Sequence, residues 1–484
     1  MALSRRELLE AGAAAALAAA LPSPAAAARR ARPNVLVVVI DTLRADHVSA
    51  YGGRALTPHI DALAEAGLRF TRFYPEAMAT VPARRSILTG RRVWPFRHWH
   101  QWPGLRDTPG WQPIADPRES TFTSALRRAG WWTGYATDNP FLGFSRPYGP
   151  LRDSLSRFVA VGGQRGHGTS VAQVSKQRVE HWLIPELRTP YLRSLLRGYL
   201  GAGGYDRDET RSFAARVFTA GAAALEEASR RRPFALVVDT YEPHEPWTPP
   251  EDYISLYASG RHEGPEPSMG RYRRVDDWLS RRRAGPVLDR MRDIYAAEVT
   301  MTDRWLGVLI DRLHQLGLAD DTVIALVSDH GFLLGEHGWT GKIASMLHPP
   351  LIHVPFLLCD PRPGRRRGAT SGYLAQTHDV GPTLLSLAGL RPPRGMTGVD
   401  VSPLLRGRRP PARELAYGGY ANWHYARTER WAYVSMNRGY GRRLYELERD
   451  EDERHDVARH HPVRIDRFYD AVVRRAGGRP PIYR

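Results

Sequence analysis

Asn34 to Ile40 reads N-V-L-V-V-V-I, and this largely β-branched apolar run is followed directly by Asp41. A continuous apolar run of this length, bounded by polar residues, is typical of a strand buried on both faces of a parallel sheet. The run therefore predicts a central strand that ends at Asp41. Ligands bind beyond the carboxyl ends of strands in open α/β sheets, so this carboxylate is a candidate site residue.

Two later runs repeat this arrangement of a buried strand with an acidic residue at its end. Residues 233–238 (P-F-A-L-V-V) precede Asp239, and residues 322–327 (T-V-I-A-L-V) lead to Asp329 and His330. Adjacent residues after a strand point to different sides and can still reach one ion, so Asp329 and His330 are candidate ligands. For Asp239, a role in a turn or cap is equally compatible with the sequence.

Segments with helical spacing alternate with these strands. This alternation predicts an α/β fold with a doubly wound, mostly parallel sheet and helices on both faces. The predicted helices are 57–67, 80–91, 120–130, 210–229, 289–316 and 379–390, and further strand candidates are 131–137 and 354–359.

The remaining segments complete the predicted organisation. Residues 33–390 are expected to form the catalytic α/β domain and residues 391–484 a small C-terminal α+β lobe. Residues 94–117, rich in Trp, Pro and His, predict a long surface loop, and residues 143–205 are interpreted as an insertion.

The N-terminal residues 1–28 differ in composition from the rest of the chain. Paired Arg5 and Arg6 precede a weakly apolar, alanine-rich run that ends in small residues. This pattern predicts a twin-arginine export signal, with an N-terminal surface helix as the alternative. Since no later stretch reaches the ~18 unbroken apolar residues of a membrane span, we expect a periplasmic or secreted protein.

The net charge of +18 comes almost entirely from arginine, because only Lys176 and Lys342 are lysine among 69 cationic residues. A basic surface suits nucleic acid or an anionic polymer. The arginines are spread along the whole chain without aromatic interleaving, so specific nucleic-acid binding is not expected. The single cysteine, Cys359, excludes an intramolecular disulfide and is predicted to be a buried small apolar residue.

Thr80 to Arg91 reads T-V-P-A-R-R-S-I-L-T-G-R and places a hydroxyl four residues before Arg84. This pattern suits an oxygen nucleophile at a helix N-terminus, where free N–H groups and the helix dipole favour an anion such as a tetrahedral oxyanion ester. Taken alone, it is equally typical of a proline-marked turn before an ordinary helix. Oxygen ligands with one imidazole near this hydroxyl would suit a divalent cation.

Seven motifs occur along the chain, and their order is highly specific for one protein family. With them the chain resembles the sulfatase branch of the alkaline phosphatase superfamily over nearly its whole mature length. The resemblance implies an alkaline-phosphatase-like α/β core, an antiparallel C-terminal lobe, and hydrolysis of sulfate or phosphate esters. The motifs are N-V-L-V-V-V-I-D-T-L-R-A-D-H, T-P-H-I-D-A-L-A-E-A-G-L-R-F, T-V-P-A-R-R-S-I-L-T-G-R, P-H-E-P-W, S-D-H-G-F-L-L-G-E-H-G, D-V-G-P-T-L-L-S-L-A-G and R-L-Y-E-L-E-R-D-E-D-E-R.

The resemblance also implies roles for individual residues. It implies one divalent ion (calcium, manganese or zinc) and a small-molecule or glycan ester as substrate. The implied metal ligands are Asp41, Thr80, Asp329 and His330, and the implied catalytic residues are Thr80, Arg84, His244 and Lys342.

A second ion is an alternative that the sequence leaves open. Asp239, His348 and His353 occur in a plausible chain order for it or for substrate binding. The two-metal relatives, however, separate the aspartate and the following histidine by four residues, and here Asp239 and His244 are five apart. One ion is therefore the prediction.

Three departures from the family pattern concern the nucleophile. Active sulfatases carry cysteine or serine at the position of Thr80 and convert it to the aldehyde formylglycine, which threonine cannot form. Thr42 replaces the second of two adjacent aspartates, and Thr137 to Pro140 (T-D-N-P) lacks the usual supporting lysine and histidine. Formylglycine is therefore not expected.

Threonine is the nucleophile in phosphodiesterase-like relatives of this superfamily, so the resemblance favours phosphate over sulfate esters. Thr80 would form a phosphothreonine, Arg84 and Lys342 would hold the ester oxygens, and His244 would protonate the leaving group. The alternatives are a sulfatase that works without formylglycine and an inactive protein that binds anionic glycans. Trp247 and the loop from 94 to 111 are candidates for a sugar-stacking or aryl-binding rim, or for packing.

Overall fold

The computed structural model describes residues 32–114, 120–164, 174–203, 208–258 and 262–483. The export signal predicted for residues 1–28 lies outside these ranges. None of the helices within them combines the length and the apolar character that a membrane span requires.

The strands alternate with helices through most of the described chain. In chain order the strands are β1 (Asn34–Ile40), β2 (Leu68–Phe70), β3 (Phe73–Tyr74), β4 (Trp132–Thr137), β5 (Arg157–Ala160), β6 (Phe234–Thr240), β7 (Arg273–Arg274), β8 (Thr322–Ser328), β9 (Leu333–Leu334), β10 (Trp339–Gly341), β11 (Phe356–Cys359), β12 (Ala369–Ser371), β13 (Ala375–Gln376), β14 (Ala416–Tyr420), β15 (Trp423–Arg427), β16 (Trp431–Met436) and β17 (Arg443–Glu446).

The helices pack on both sides of the main sheet. In chain order they are α1 (Pro58–Ala66), α2 (Thr80–Thr89), α3 (Phe122–Arg128), α4 (Pro140–Phe144), α5 (Gly149–Asp153), α6 (Lys176–His181), α7 (Pro190–Ala202), α8 (Phe213–Ser229), α9 (Glu251–Ile254), α10 (Arg281–Gln315), α11 (Pro349–Ile352), α12 (Val380–Leu387) and α13 (Pro462–Arg475).

The main sheet has the strand order β12-β2-β11-β8-β1-β6-β4-β5 and is mostly parallel, with β11 antiparallel to both of its neighbours. Strand β1 lies near its centre and is buried on both faces. Alternate residues of β1 enter two separate apolar cores: Leu36 and Val38 pack on the side of α8 and α10, and Val35 and Val37 on the side of α12. The predicted doubly wound, mostly parallel α/β fold is confirmed.

Three predictions about elements need correction. Helix α10 begins at Arg281, eight residues before the predicted start, because it tolerates Pro286 inside the helix at the loss of one backbone hydrogen bond. The segment interpreted as an insertion supplies β5, an edge strand of the main sheet, and α7. The predicted surface loop is exposed at positions such as His98 and Asp107, but it also contains buried residues, of which Trp94 is fully buried.

The C-terminal lobe is a four-stranded antiparallel sheet in the order β14-β15-β16-β17, covered by α13. It adjoins the catalytic part of the chain directly, because Met78 N–H, just before α2, donates to Gly419 O over 3.1 Å. The predicted α+β lobe is thus present. Cys359 is buried and unpaired, as predicted.

Candidate active site

Three aspartates meet where the parallel strands β8, β1 and β6 lie side by side. Asp41 follows β1, Asp329 follows β8, and Asp239 is the penultimate residue of β6. Asp41 N–H donates to Thr240 O over 3.0 Å, which continues the ladder one residue beyond β1. All three carboxylates are fully buried. Strand order, rather than any local motif, brings these distant residues together.

Asp41, Asp329 and His330 form a group suited to a metal ion. Their candidate ligand atoms all lie within 4.8 Å of one another, and they are the one such group of three in the described ranges. His330 Nδ1 lies 3.0 Å from Gly331 O, which assigns the proton to Nδ1 and leaves Nε2 free to ligate. Two carboxylates and one neutral imidazole fit a divalent cation.

Thr42 stands where the family pattern has a second aspartate. It is not a candidate metal ligand but forms hydrogen bonds to two of the candidates, Asp41 and Asp329. Its backbone N–H donates to Asp329 Oδ1 over 2.9 Å, and its hydroxyl donates to Asp41 Oδ1. The residue adopts a φ of 59°, in the left-handed region that non-glycine residues rarely enter. This strained turn holds both metal-ligand candidates in fixed orientations.

Arg84 lies at the centre of the three aspartates, which we call the arginine-centred carboxylates. Its Nε and Nη2 donate to the Asp239 carboxylate over 2.9 and 2.7 Å. Its Nη1 lies 2.5 Å from Asp329 Oδ2 and 3.0 Å from Asp41 Oδ2. Asp239 is therefore the side-on partner of a guanidinium, and the structure does not place it among the metal-ligand candidates.

Burial and this guanidinium set the protonation of the group. Burial lowers the pKa of Arg84, but the three carboxylates outweigh it and raise that pKa well above its ordinary value. Burial, with the neighbouring Asp329, raises the pKa of Asp41 well above its ordinary value. Burial also favours a raised pKa for Asp329, but His330 and Arg84 outweigh it and lower that pKa. Burial lowers the pKa of His330 to about 4.

Thr80 is the first residue of α2, and its hydroxyl lies between the aspartate cluster and a pocket. Oγ1 is 3.4 Å from His330 Nε2, and the backbone carbonyl accepts a 3.3 Å hydrogen bond from Arg84. The pocket has a volume of about 560 Å³, and Thr80, His244 and Lys342 all line it. The sequence-predicted nucleophile, proton donor and anion-binding lysine are thus brought together.

His244 and Lys342 form a directly bonded pair in this pocket. Lys342 Nζ lies 2.6 Å from His244 Nε2, while His244 Nδ1 lies 2.7 Å from Glu245 O. These partners assign the ring a proton on Nδ1 and make Nε2 the acceptor of an ammonium proton. The ring also stacks on Tyr241, with centroids 4.2 Å apart. The imidazole is consequently fixed with Nε2 beside the lysine.

The group that the sequence left open for a second ion does not assemble in the described ranges. His348 is buried beside the C-terminal lobe, with Nδ1 2.8 Å from Glu453 Oε2. His353 Nε2 lies 3.0 Å from Thr71 O. Because His348 and His353 have these separate partners and Asp239 pairs with a guanidinium, chain order was a misleading guide to a second metal site.

The tryptophans proposed as a substrate rim are mostly structural. Trp247 is fully buried, and its indole N–H donates to Pro243 O over 2.7 Å, so it is no rim residue. Trp94 packs in the core of the C-terminal lobe. Trp111 does line the pocket.

A second set of three buried carboxylates lies near the first without a central cation. We call Asp138, Glu242 and Glu298 the acid-only carboxylates. Burial, with the Glu242 charge, raises the pKa of both Asp138 and Glu298 well above the ordinary value. Burial raises the pKa of Glu242 to about 7. These groups therefore favour the protonated state.

The segment T-D-N-P has structural roles in this fold. Asp138 Oδ1 accepts the Tyr241 N–H over 2.7 Å and so supports the turn that carries His244. Asn139 caps α4 by accepting from Phe141 N–H over 3.0 Å. The residues that replace the usual lysine and histidine thus shape the loops around the pocket.

Two positioning residues escaped the sequence analysis. Tyr135, on β4, donates its hydroxyl to Asp239 Oδ2 over 2.7 Å and helps to fix the partner of Arg84. Tyr241 stacks under His244. The only sequence signals were the place of Tyr135 within a strand and the place of Tyr241 three residues before His244.

Comparison with protein families agrees with this geometry. Residues 33–390 match the family model described as Sulfatase, and residues 335–471 match the one described as N-sulphoglucosamine sulphohydrolase, C-terminal. The chain belongs to the sulfatase family. It is accordingly a sulfatase-like ester hydrolase of the alkaline phosphatase superfamily, and members of this family use a metal ion.

Individual relatives share a low sequence identity with this chain, but the similarity covers most of its length. An arylsulfatase of Clostridium perfringens is 23% identical over 93% of this chain and 96% of its own length. The multifunctional alkaline phosphatase superfamily protein PehA of Trinickia caryophylli is 28% identical over 78% of each chain. The phosphonate monoester hydrolase of Agrobacterium radiobacter has the same fold, with a TM-score of 0.69, 23% identity, and coverage of 92% of this chain and 96% of its own.

Proposed function

We propose that this chain is an exported, metal-dependent hydrolase that cleaves phosphate esters with Thr80 as the nucleophile. The observation that carries the proposal is the position of the Thr80 hydroxyl, which lies 3.4 Å from His330 Nε2 and lines the pocket. Threonine cannot become an aldehyde, so the hydroxyl itself must attack. The export component rests on the sequence of residues 1–28.

The residues that would hold the metal ion are Asp41, Asp329 and His330, with Thr80 beside them. Three buried carboxylates share one guanidinium, so the group has more acidic side chains than one cation can pair, and a dication would stabilise Asp41 in its charged form. When bound, a divalent ion supplies Lewis acidity, which favours the deprotonated hydroxyl and shields the negative ester. The oxygen-rich donor set with one imidazole is compatible with calcium, manganese or zinc.

The chain's own residues orient the nucleophile. Thr80 lies in the first turn of α2, where free N–H groups and the helix dipole favour an anionic ester. Arg84, held by the arginine-centred carboxylates, donates to Thr80 O and fixes that turn. Attack of Oγ1 forms a bond to phosphorus as the bond to the alcohol oxygen breaks. Water then hydrolyses the phosphothreonine and restores the hydroxyl.

The His244–Lys342 pair supports protonation of the departing alcohol. Lys342 Nζ lies 2.6 Å from His244 Nε2, so the ammonium can bind the anion and share a proton with Nε2, and Nε2 is the ring atom that would then give this proton to the departing alcohol. Lys342 is only 8% exposed, so little water competes for that proton. The pair thus serves both anion binding and acid catalysis.

The choice of phosphate over sulfate follows from the threonine. A sulfated threonine cannot expel sulfate by the elimination that formylglycine allows, whereas a phosphothreonine is open to attack by water at phosphorus. Membership of the sulfatase family favours the second candidate, a sulfatase that works through the unmodified hydroxyl. The name of the PehA relative refers to several activities, which supports broad ester chemistry on this scaffold.

A paired assay tests the proposal. The wild type, Thr80→Ala and the control Thr89→Ala, at the other end of α2, are compared on an aryl phosphate and the matching aryl sulfate. We expect phosphate hydrolysis by the wild type and the control, and none by Thr80→Ala. Unchanged turnover in Thr80→Ala refutes the nucleophile. A strong preference for sulfate favours the second candidate, and bound metal without any turnover favours an inactive glycan-binding protein.

A further inference from the structure

Helix α7 places a line of apolar side chains along one side of the active-site pocket. Tyr191, Leu195 and Tyr199 are spaced four residues apart, so they lie on one face of the helix. Together with Leu192, all of them line the pocket that contains Thr80. We call these four residues the α7 wall. It derives from the segment whose sequence showed no readable pattern.

Two of the four α7 wall residues, Tyr191 and Leu195, are not needed to hold the helix on the protein, whereas Tyr199 is a core residue. Leu196 and Leu200 anchor α7 in the core and are at most 2% exposed, whereas Tyr191 is 68% exposed and Leu195 is 37% exposed. Tyr272, on the same pocket, is 46% exposed, so three of the seven exposed large apolar side chains in the described ranges gather here. Apolar surface concentrated in a cleft is typical of a ligand site.

The pocket lining also includes aromatic residues from other segments of the chain. Trp111 and Phe141 line it, with ring centroids 4.5 Å apart and edge to face. A flat apolar group in the pocket could therefore contact aromatic rings from α4 and from the loop before α3 as well as from α7. Aromatic contacts of this kind add about 0.5–1.5 kcal/mol each beyond the area that they bury.

Two of the uncharged polar side chains of this pocket are already used within the protein. Gln164 donates its amide to His244 O over 2.8 Å, and Thr189 caps α7 by accepting from Leu192 N–H over 3.2 Å. A sugar brings several hydroxyls, and each one that is buried without a partner costs binding energy. Charged side chains, among them Arg106, Arg271 and Arg273, also line the pocket. The exposed apolar side chains of the α7 wall, rather than an absence of polar groups, are what favour an alcohol with few hydroxyls.

We propose that the α7 wall is the leaving-group site and that it selects planar apolar alcohols over sugars. This inference rests on the proposed function, because it needs the ester anion to lie at Thr80. In the reaction, the bond from Thr80 Oγ1 to phosphorus forms and the bond to the aromatic alcohol oxygen breaks. That oxygen leaves with the electron pair and takes a proton from the His244–Lys342 pair.

Binding to a non-turnover form tests the selection directly. The Thr80→Ala protein, purified with its metal, is titrated with 1-naphthyl phosphate and with glucose 1-phosphate. We expect the naphthyl ester to bind at least about tenfold more tightly. Adding Leu195→Asn should weaken only the naphthyl ester, by roughly tenfold. The control is Val463→Asn, which alters an equally helical and 63% exposed apolar residue on α13.

The outcomes separate this inference from the proposed function. Equal affinity for the two phosphates, or an equal loss for both in Leu195→Asn, overturns the assignment of the α7 wall. If the naphthyl ester is preferred but the wild type hydrolyses neither phosphate nor sulfate esters, the proposed function fails and the wall stands as a binding site. If the wild type turns over both phosphates and Leu195→Asn lowers kcat/KM for them equally, only the α7 inference fails.

Discussion

The arginine-centred carboxylates and the acid-only carboxylates are equally buried, yet their surroundings differ. The first group surrounds Arg84, which contacts all three members within 3.0 Å. In the second group, Asp138 Oδ2, Glu242 Oε1 and both Glu298 oxygens have no hydrogen-bond partner in the described ranges. Burial alone therefore does not decide whether a carboxylate stays charged. In the first group, burial is outweighed at Asp329, where His330 and Arg84 lower the pKa, whereas burial and Asp329 outweigh Arg84 at Asp41 and raise its pKa. A nearby cation therefore separates two equally buried carboxylates, and such divided sites are where anion chemistry is expected.

Removal of the central cation should have the largest effect. In Arg84→Met we expect turnover to fall about a thousandfold, because the preorganised charge that fixes Thr80 is lost. The three carboxylates would also lack their partner, which costs about 3–5 kcal/mol of unfolding free energy. Enzyme assays and urea titrations measure the two effects.

Arg290→Met is the matched control for this variant, since it breaks the buried Arg290–Glu266 pair outside the pocket. It should lose stability and keep its turnover per folded molecule. Normal turnover in Arg84→Met would contradict the account.

The next largest effect is expected from loss of a metal ligand, which should distinguish the arginine-centred carboxylates from the acid-only carboxylates. In Asp41→Asn we expect the metal to bind at least about a hundredfold more weakly, with part of the activity restored by excess cation. Metal content after dialysis, measured by emission spectrometry, checks this. Glu298→Gln, in the acid-only group, should retain its metal; equal metal loss in both variants would remove the distinction.

A smaller effect on turnover is expected when Asp239, the carboxylate that pairs side-on with Arg84, is altered. Asp239→Asn keeps the size of the side chain but weakens the side-on pairing with Arg84, so kcat should fall roughly tenfold to a hundredfold. The metal content should stay at the wild-type value, because Asp239 binds Arg84 instead of an ion. A variant that loses metal would favour the second-ion alternative over the single ion that the sequence predicts.

The acid-only group should affect stability and its pH dependence. The folded protein holds the Glu242 pKa at about 7, above the ordinary 4.5, so it retains a proton that the unfolded chain loses between these values. The contribution of Glu242 to stability should therefore be greatest below about pH 4.5 and fall as the pH rises through 7, by about 3 kcal/mol at most.

Glu242→Gln keeps an acceptor for the Ala214 N–H and should abolish most of this fall, as urea titrations at pH 5 and pH 8 would measure. Its turnover should change little. The control Glu65→Gln alters an exposed carboxylate and should keep the wild-type dependence. A Glu242→Gln protein with the wild-type pH dependence would show that another group causes it.

The sequence predicted the frame of the site because long apolar runs end at its main residues. Strands β1, β6 and β8 each extend to an acidic residue, and parallel pairing brings those ends together. The motif around Thr80 then predicted the start of α2 correctly. These features depend on local patterns that a single sequence contains.

The remaining features depend on which distant surfaces meet. His348 follows the other candidate ligands in the chain but lies against Glu453 of the C-terminal lobe. Trp247 resembles a rim residue in sequence and is a core residue in the fold. The pairing of Tyr135 with Asp239 joins two neighbouring strands and leaves no periodic signal. Tertiary packing decides each of these.

Trapping of the reaction intermediate tests the central claim most directly. The wild type is mixed with an excess of an aryl phosphate, quenched in acid within the first turnovers, digested and analysed by mass spectrometry. The account predicts one phosphoryl group on Thr80, absent from Thr80→Ala, with a burst of released phenol of matching size. Turnover of the substrate at the normal rate with no phosphoryl group on Thr80 would contradict it.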